Sequence, residues 1–393
     1  MSEHEPVLTR PFLLLVAAHL LQALGYASLI LLPLYLDHLG ASRSEVGVVM
    51  ASAAVGGLLV RPLVAWALDR VGRKPTLYVG TVMLVAAMAS LGLIQSVGLA
   101  VIVVHGVIGV AEAALFSGYF TLAADIVPER RRTEGLALFG ISGLVPLVVN
   151  PIAGALGVEG GQLRGFFVVM SVLIAGSLIF LWPLAERAPH TATAGPSVGE
   201  VLRSLRHRAL WPVWTATMVF AGLVGVFMSF VTVAAADAGA GNAGVIWLTY
   251  AGGSVGIRLF GASVPDRVGP SRMVPPALLS YVAAFVVAAF ASSDAGFALS
   301  GLLAGFAHGA CFPVLTGQAV TRTPAAQRGA ALSLFTALWD LMKLLLVPLA
   351  GWAADVWSDQ GMLLGSAVVA VAGLAVWAVL ERGVEVRPGT TVA

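Results

Sequence analysis

Charge is scarce in this chain. Only 11% of its 393 residues are Asp, Glu, Lys or Arg, where an ordinary soluble domain carries roughly 25%. With 59% hydrophobic residues, that deficit excludes a soluble globular protein and puts most of the chain in lipid. Cysteine is nearly absent too: Cys311 is the only one, so no intrachain disulfide can form and the redox compartment is unreadable. No P-loop lysine motif occurs, which excludes ATP hydrolysis on this chain as a driving force. No cluster of His, Cys and carboxylates has metal-ligand spacing. The expectation is a protein that is not an enzyme, with no cofactor, no metal and no nucleic-acid partner. The net charge of +2 says nothing about partners.

What the chain has instead is long apolar runs. They fall near residues 12–36, 45–68, 75–95, 98–123, 135–157 and 165–184, then 209–236, 243–264, 273–292, 296–320, 330–356 and 361–380. About twenty apolar residues cross a bilayer core, and runs of this length without period-2 alternation are helices, not barrel strands. The fold class read here is therefore an all-α polytopic membrane protein of twelve helices. The first run is too long for a signal-peptide core and is read as a retained span. Glycines such as Gly301, Gly305 and Gly309, at spacing four, suit close helix packing through small residues. With the N-terminus inside, 19 bases gather on the inner side and two, Arg43 and Arg164, on the outer side, leaving Lys343 within a helix. The positive-inside rule then makes both termini cytoplasmic, in the inner (plasma) membrane.

A degenerate repeat divides the chain. Arg61-Pro62-Leu63-Val64-Ala65-Trp66-Ala67-Leu68-Asp69-Arg70-Val71-Gly72 recurs as Arg258-Leu259-Phe260-Gly261-Ala262-Ser263-Val264-Pro265-Asp266-Arg267-Val268-Gly269, 197 residues on, with six of twelve positions identical. Further matches align Gly109 with Gly305, Phe116 with Phe312, Glu112 with His308 and Pro151 with Pro348. A period near half the chain means duplicated halves in the same topology, with a site expected between them near the midplane. The domains read as 1–185, a cytoplasmic linker at 186–208, and 209–393.

At these residues the chain resembles the major facilitator superfamily of secondary transporters. The family's loop motif after its second helix, Gly-x-x-x-Asp-Arg-x-Gly-Arg-Arg/Lys, reads here Ala65-Trp66-Ala67-Leu68-Asp69-Arg70-Val71-Gly72-Arg73-Lys74. The resemblance implies a charge relay closing an inner gate, in which Asp69, Arg73 and Asp125 match the three charged positions. The second copy keeps Asp266, Arg267 and Gly269 but has Pro270 and Thr321 where Arg73 and Asp125 would be, so its relay is expected to be lost. Pro33 and Tyr35, then His38-Leu39-Gly40 and Val46-Gly47, resemble the bacterial drug:proton antiporter branch. The chain departs from that branch at His105, where an arginine stands in the family, and at Asn150-Pro151-Ile152-Ala153-Gly154-Ala155, a degenerate antiporter motif.

Ionisable groups inside the membrane each cost roughly 2.5 to 3.5 kcal/mol on insertion scales and mark function by default. Glu112 lies mid-helix and shares a face with His105 and Tyr119 at seven-residue spacing. Asp340 and Lys343, three residues apart, are close enough to pair. Glu112, Asp340, Lys343 and His308 are the proton-coupling candidates; either a structural pair or a switch between carboxylates fits Asp340 and Lys343. His19, Gln22 and Tyr26 form a polar stripe, and with His105, Tyr119, Trp214 and Trp339 they are the cavity and substrate candidates. Dinucleotide-like glycines at 239–244 and a hydrolase-like elbow at 252–256 lack the strands those motifs need.

The expected function is proton-coupled, alternating-access transport of a hydrophobic or amphipathic small molecule, the expected partners being that substrate, protons and the bilayer, with export as the direction and a monomer as the working unit. Proton-linked uptake of a small metabolite, a lipid flippase, and a non-transporting sensor or scaffold are the alternatives.

Overall fold

The computed structural model describes residues 6–185, 198–261, 264–324 and 327–385. The segment 186–197 of the expected linker lies outside the described residues, as does the side chain of Asp266. Among the described residues, eleven helices are long and apolar enough to cross a membrane: α1 (Arg10–His38), α2 (Arg43–Arg70), α3 (Arg73–Leu91), α4 (Leu99–Ile126), α5 (Glu134–Ala155), α6 (Gln162–Leu181), α7 (Arg208–Asp237), α9 (Pro270–Phe290), α10 (Asp294–Thr321), α11 (Arg328–Trp357) and α12 (Asp359–Val384). A shorter apolar helix, α8 (Val245–Phe260), completes the set of twelve. It stops before its expected end near residue 264 because Gly261 closes its last turn, donating its N–H to the Ile257 carbonyl.

Local chemistry sets the ends and the breaks. The Thr9 side chain accepts from the Phe12 N–H at the start of α1, and Ser293 accepts from Gly296 at the start of α10, satisfying donors that have no intrahelical partner. Proline interrupts two spans. Pro33 follows a 3₁₀ turn at Ser28–Leu31 in α1, and Pro146 sits in another at Val145–Val148 in α5, as expected where the N–H of an i→i−4 bond is missing.

The chain forms two compact units, Met1–Ala41 with Ser52–Thr193, and Ser42–Ala51 with Ala194–Ala393. In the first unit, α1 packs along α6 and α3 along α4; in the second, α8 and α9 both pack along α10, and α7 packs on α11. The first residues of α2 belong to the second unit. Arg43 Nε reaches Asp359 at 3.1 Å, its guanidinium also meets Asp237, and the N–H groups of Arg43 and Ser44 donate to Asp355 at 2.8 and 2.9 Å.

Small residues give each unit its tightest helix contact, and the two contacts correspond under the repeat. A Cβ on Gly109 of α4 would stand 1.9 Å from the Ala53 carbonyl oxygen of α2, and one on Gly305 of α10 would stand 2.0 Å from the Tyr250 oxygen of α8. Gly56 and Gly253 likewise abut the backbone of Gly106 and Leu302. Lipid tails supply no hydrophobic drive between helices, so association rests on such van der Waals approach. Leu59, Leu93, Ile179 and Phe260 meanwhile point away from the protein, Phe260 being 89% exposed. Side chains of that kind form the surface that acyl chains cover.

Candidate functional site

In the first unit the polar candidates converge on α1 and α4. Gln22 Nε2 donates to Glu112 Oε2 at 3.4 Å, a long bond that sets the carboxylate against the α1 stripe. His19 Nδ1 lies 2.7 Å from Ser142 Oγ of α5, and its ring packs, tilted, against Tyr119 and Phe139 with centroids 4.9 and 4.6 Å away. His105 meets Ser52 Oγ at 3.4 Å. His19, Gln22, His105 and Tyr119 are all buried, whereas Tyr26 and Glu112 are half-buried. Burial supplies each imidazole with a hydroxyl partner, as burying a polar group requires.

The motif between α2 and α3 is built as a turn locked by its own charges. Gly72 has φ 120° and Gly269, its counterpart before α9, has φ 91°, a region that L side chains rarely adopt. That requirement explains why glycine survives in both copies. Beyond Gly72, Arg73 is buried; its Nε donates to Asp125 Oδ2 at 3.1 Å and its NH1 to the Leu68 carbonyl at 2.7 Å. Arg73 thus ties the inside of α4 to the last turn of α2, whose carbonyls lack helical partners. Lys74 Nζ donates to the Trp182 and Leu184 carbonyls at 2.7 and 2.8 Å, doing the same for the end of α6. Asp69, half-buried, and Arg70, exposed, flank this arrangement.

In the second unit, where Pro270 and Thr321 stand at the positions of Arg73 and Asp125, a different ion pair is present. Arg322, one residue past Thr321, donates through NH1 to Glu381 Oε2 of α12 at 2.9 Å, through NH2 to Glu381 Oε1 at 2.5 Å and to Ser271 Oγ of α9 at 2.8 Å, and through NH1 to the Ala209 carbonyl at 3.2 Å. The base now rides on α10 and the acid on α12, the reverse of Asp125 on α4 and Arg73 on α3. Arg267 is exposed and outside this network. Glu381 is only 5% exposed, and stripping one partner from a buried ion pair costs about 3 kcal/mol. Glu381→Gln is therefore expected to lower unfolding stability in detergent by that amount, with Arg322→Gln/Glu381→Gln less destabilised than the sum of the singles. Additive effects in that double-mutant cycle would show that the two side chains are not coupled.

Around His308 the second unit gathers aromatic rings. Tyr250 Oη lies 2.5 Å from His308 Nδ1 and 3.5 Å from Tyr281 Oη. Phe220, Phe312 and Trp339 stand 5.3, 6.3 and 5.9 Å from the imidazole, centroid to centroid. His308, Phe312 and Trp339 are half-buried, and the Trp339 indole Nε1 is buried without a hydrogen-bond partner. Trp214 is elsewhere, buried at the start of α7 with Nε1 directed at the Ser204 carbonyl, 3.4 Å away. Lys343 lays its stem against Gly225 of α7. Asp340 lies three residues before Lys343 on the same helix, a spacing that allows contact on one face.

Arg258, counted among the inner-side bases, sits half-buried in the last turn of α8, two residues before Phe260.

Comparison with known proteins agrees with this architecture. The chain is 26% identical over 325 residues to the staphylopine export protein of Staphylococcus aureus (strain Mu50 / ATCC 700699), covering 79% of this chain and 81% of that one. It is 24% identical over 307 residues to the multidrug resistance protein MdtG of Salmonella choleraesuis (strain SC-B67), covering 72% and 73%. The fold superposes on the crystal structure of the nucleoside transporter NupG with a TM-score of 0.77 at 14% identity, over 95% of this chain and 99% of that one. A family model for the Major Facilitator Superfamily matches residues 14–342 and again 237–392. Two six-helix sets with matching glycine contacts and matching turn glycines thus have their explanation: the chain belongs to the major facilitator superfamily of membrane transporters.

Proposed function

We propose that this protein is a proton-coupled, alternating-access exporter of an amphipathic small molecule, seated in the inner (plasma) membrane with both termini cytoplasmic. The observation that carries the reading is Glu112, a carboxylate in the middle of a membrane span beside Gln22. Ionisable groups at such depth are expensive and belong to substrate or proton pathways. The buried hydroxyl-imidazole pairs around it, and the aromatic walls around His308, suit a substrate with large apolar surface. Export is supported by the likeness to the staphylopine export protein, and the orientation by the distribution of Lys and Arg under the positive-inside rule.

The test is flux in proteoliposomes under an imposed pH gradient, screened over aromatic cations, neutral compounds and aromatic carboxylates. Accumulation is expected to follow the gradient and to vanish when a protonophore collapses it. Accumulation that persists without the gradient would remove proton coupling.

A further inference from the structure

Tyr281, Tyr250 and His308 are joined by hydrogen bonds whose direction follows from burial. Tyr250 Oη lies 3.5 Å from Tyr281 Oη and 2.5 Å from His308 Nδ1, and both tyrosines are fully buried. Tyr281 has no other hydrogen-bond partner among the described residues. Run from Tyr281 through Tyr250 to Nδ1, the bonds give each buried hydroxyl proton an acceptor. Run the other way, they leave the Tyr281 proton buried with none, which is the costly arrangement. The imidazole is thereby held as the tautomer with its proton on Nε2. That N–H has no partner among the described residues.

A second donor stands beside the first. Trp339 Nε1, which can only donate, is buried and unpartnered, on a ring whose centroid is 5.9 Å from that of the imidazole. Phe220 lies 5.3 Å from the imidazole and 5.0 Å from the indole, and Phe312 lies 6.3 and 5.8 Å from them, nearly parallel to the imidazole at 13°. Phe220 and the two tyrosines are covered, whereas His308, Phe312 and Trp339 are half-buried. The uncovered part of the cluster is therefore the part that carries both donor rings. Aromatic faces and edges receive a planar ring by offset or edge-on contact, and two N–H groups left without acceptors call for an acceptor on that ring.

We infer that His308 and Trp339 form a subsite for a planar aromatic part of the substrate that carries a hydrogen-bond acceptor, a ring nitrogen or ring carbonyl. The imidazole and indole N–H groups donate to that acceptor, and the half-buried rings lie against the aromatic body. The inference rests on the transport reading above and narrows its substrate from amphipathic molecules in general to those whose ring system accepts hydrogen bonds. Tyr250 is a positioning residue here: it acts by holding the imidazole tautomer.

The experiment is equilibrium dialysis of the purified full-length protein in detergent, with empty micelles as the blank, against quinoline, naphthalene and N-methylquinolinium at a pH where quinoline is uncharged. The three share one fused-ring shape. Quinoline has a free ring-nitrogen acceptor, naphthalene has none, and methylation both blocks the acceptor and adds a positive charge. An apolar wall alone would favour naphthalene, the most hydrophobic of the three, so tighter binding of quinoline reads the acceptor, and that is the expected result. His308→Phe and Trp339→Phe, which keep a ring and remove an N–H, should each weaken quinoline about fivefold, the worth of one neutral hydrogen bond, and leave naphthalene unchanged. Tyr250→Phe, which releases the tautomer, should weaken quinoline about twofold, as halving the competent population does, again without moving naphthalene. His308→Gln, whose amide N–H can stand in for Nε2–H, should retain more quinoline affinity than His308→Phe and serves also if His308→Phe does not fold. Naphthalene or N-methylquinolinium binding as tightly as quinoline, or quinoline affinity unchanged by both His308→Phe and Trp339→Phe, overturns the inference. Dialysis needs no gradient, so the two readings fail separately. Quinoline preference in a protein without gradient-driven flux removes the transport reading, and gradient-driven flux without quinoline preference removes the subsite.

Discussion

Gly109→Val protein is expected not to accumulate in folded form, and Gly109→Ala to be destabilised by about 2 kcal/mol, within the range for overpacking a tight contact. The reason is a distance. An alanine Cβ at this position would stand 1.9 Å from the Ala53 carbonyl oxygen and 2.6 Å from the Ala53 Cα, atoms of backbone that cannot rotate aside. Relief requires α2 and α4 to separate along their whole contact, which loosens the neighbouring approach of Gly56 to the Gly106 carbonyl, itself 2.1 Å from an added Cβ. The same substitution at Gly305 should behave alike, because its Cβ would meet the Tyr250 carbonyl oxygen at 2.0 Å. Gly106→Ala is the matched control on the same helix. Its nearest contact is the Ser52 oxygen at 3.7 Å, so it should be tolerated and could gain from alanine's better helix propensity. Yield of monodisperse protein and the midpoint of thermal unfolding in detergent check all of these. A Gly109→Ala protein as stable as Gly106→Ala would refute the steric argument.

That contact also shows what could be read without coordinates. The match of Gly109 to Gly305 was visible as an alignment, and spacing-four glycines suggested close packing. Their opposite numbers, Ala53 and Tyr250, were not visible, because which backbone approaches a glycine depends on helix rotation and crossing, not on composition. Turn chemistry was more legible: Asp69 to Lys74 announced the α2–α3 turn, and Gly72 and Gly269 adopt the positive φ that glycine alone takes without strain. Long-range ion pairs were the least legible. Arg322 and Glu381 are 59 residues apart on different helices, and no spacing rule pairs them.

Glu112→Gln is expected to abolish accumulation driven by a pH gradient while leaving the protein folded and capable of substrate exchange without a gradient. Glutamine keeps the length and hydrogen-bonding capacity of glutamate, so a partner for Gln22 remains and the packing of α1 on α4 need not change. What it cannot do is take up and release a proton. A carrier that couples protons to conformational change needs a group whose charge differs between its states, and an amide at this depth stays neutral in both. Asp340→Asn is the companion variant, because a carboxylate on α11 three residues from Lys343 is the other in-span acid proposed to titrate. The readouts are gradient-driven uptake into proteoliposomes and counterflow of the same compound with no gradient imposed. Loss of the first with retention of the second assigns Glu112 to coupling. Loss of both assigns it to substrate binding or structure, and wild-type accumulation in both the Glu112→Gln and Asp340→Asn proteins removes proton coupling through these carboxylates.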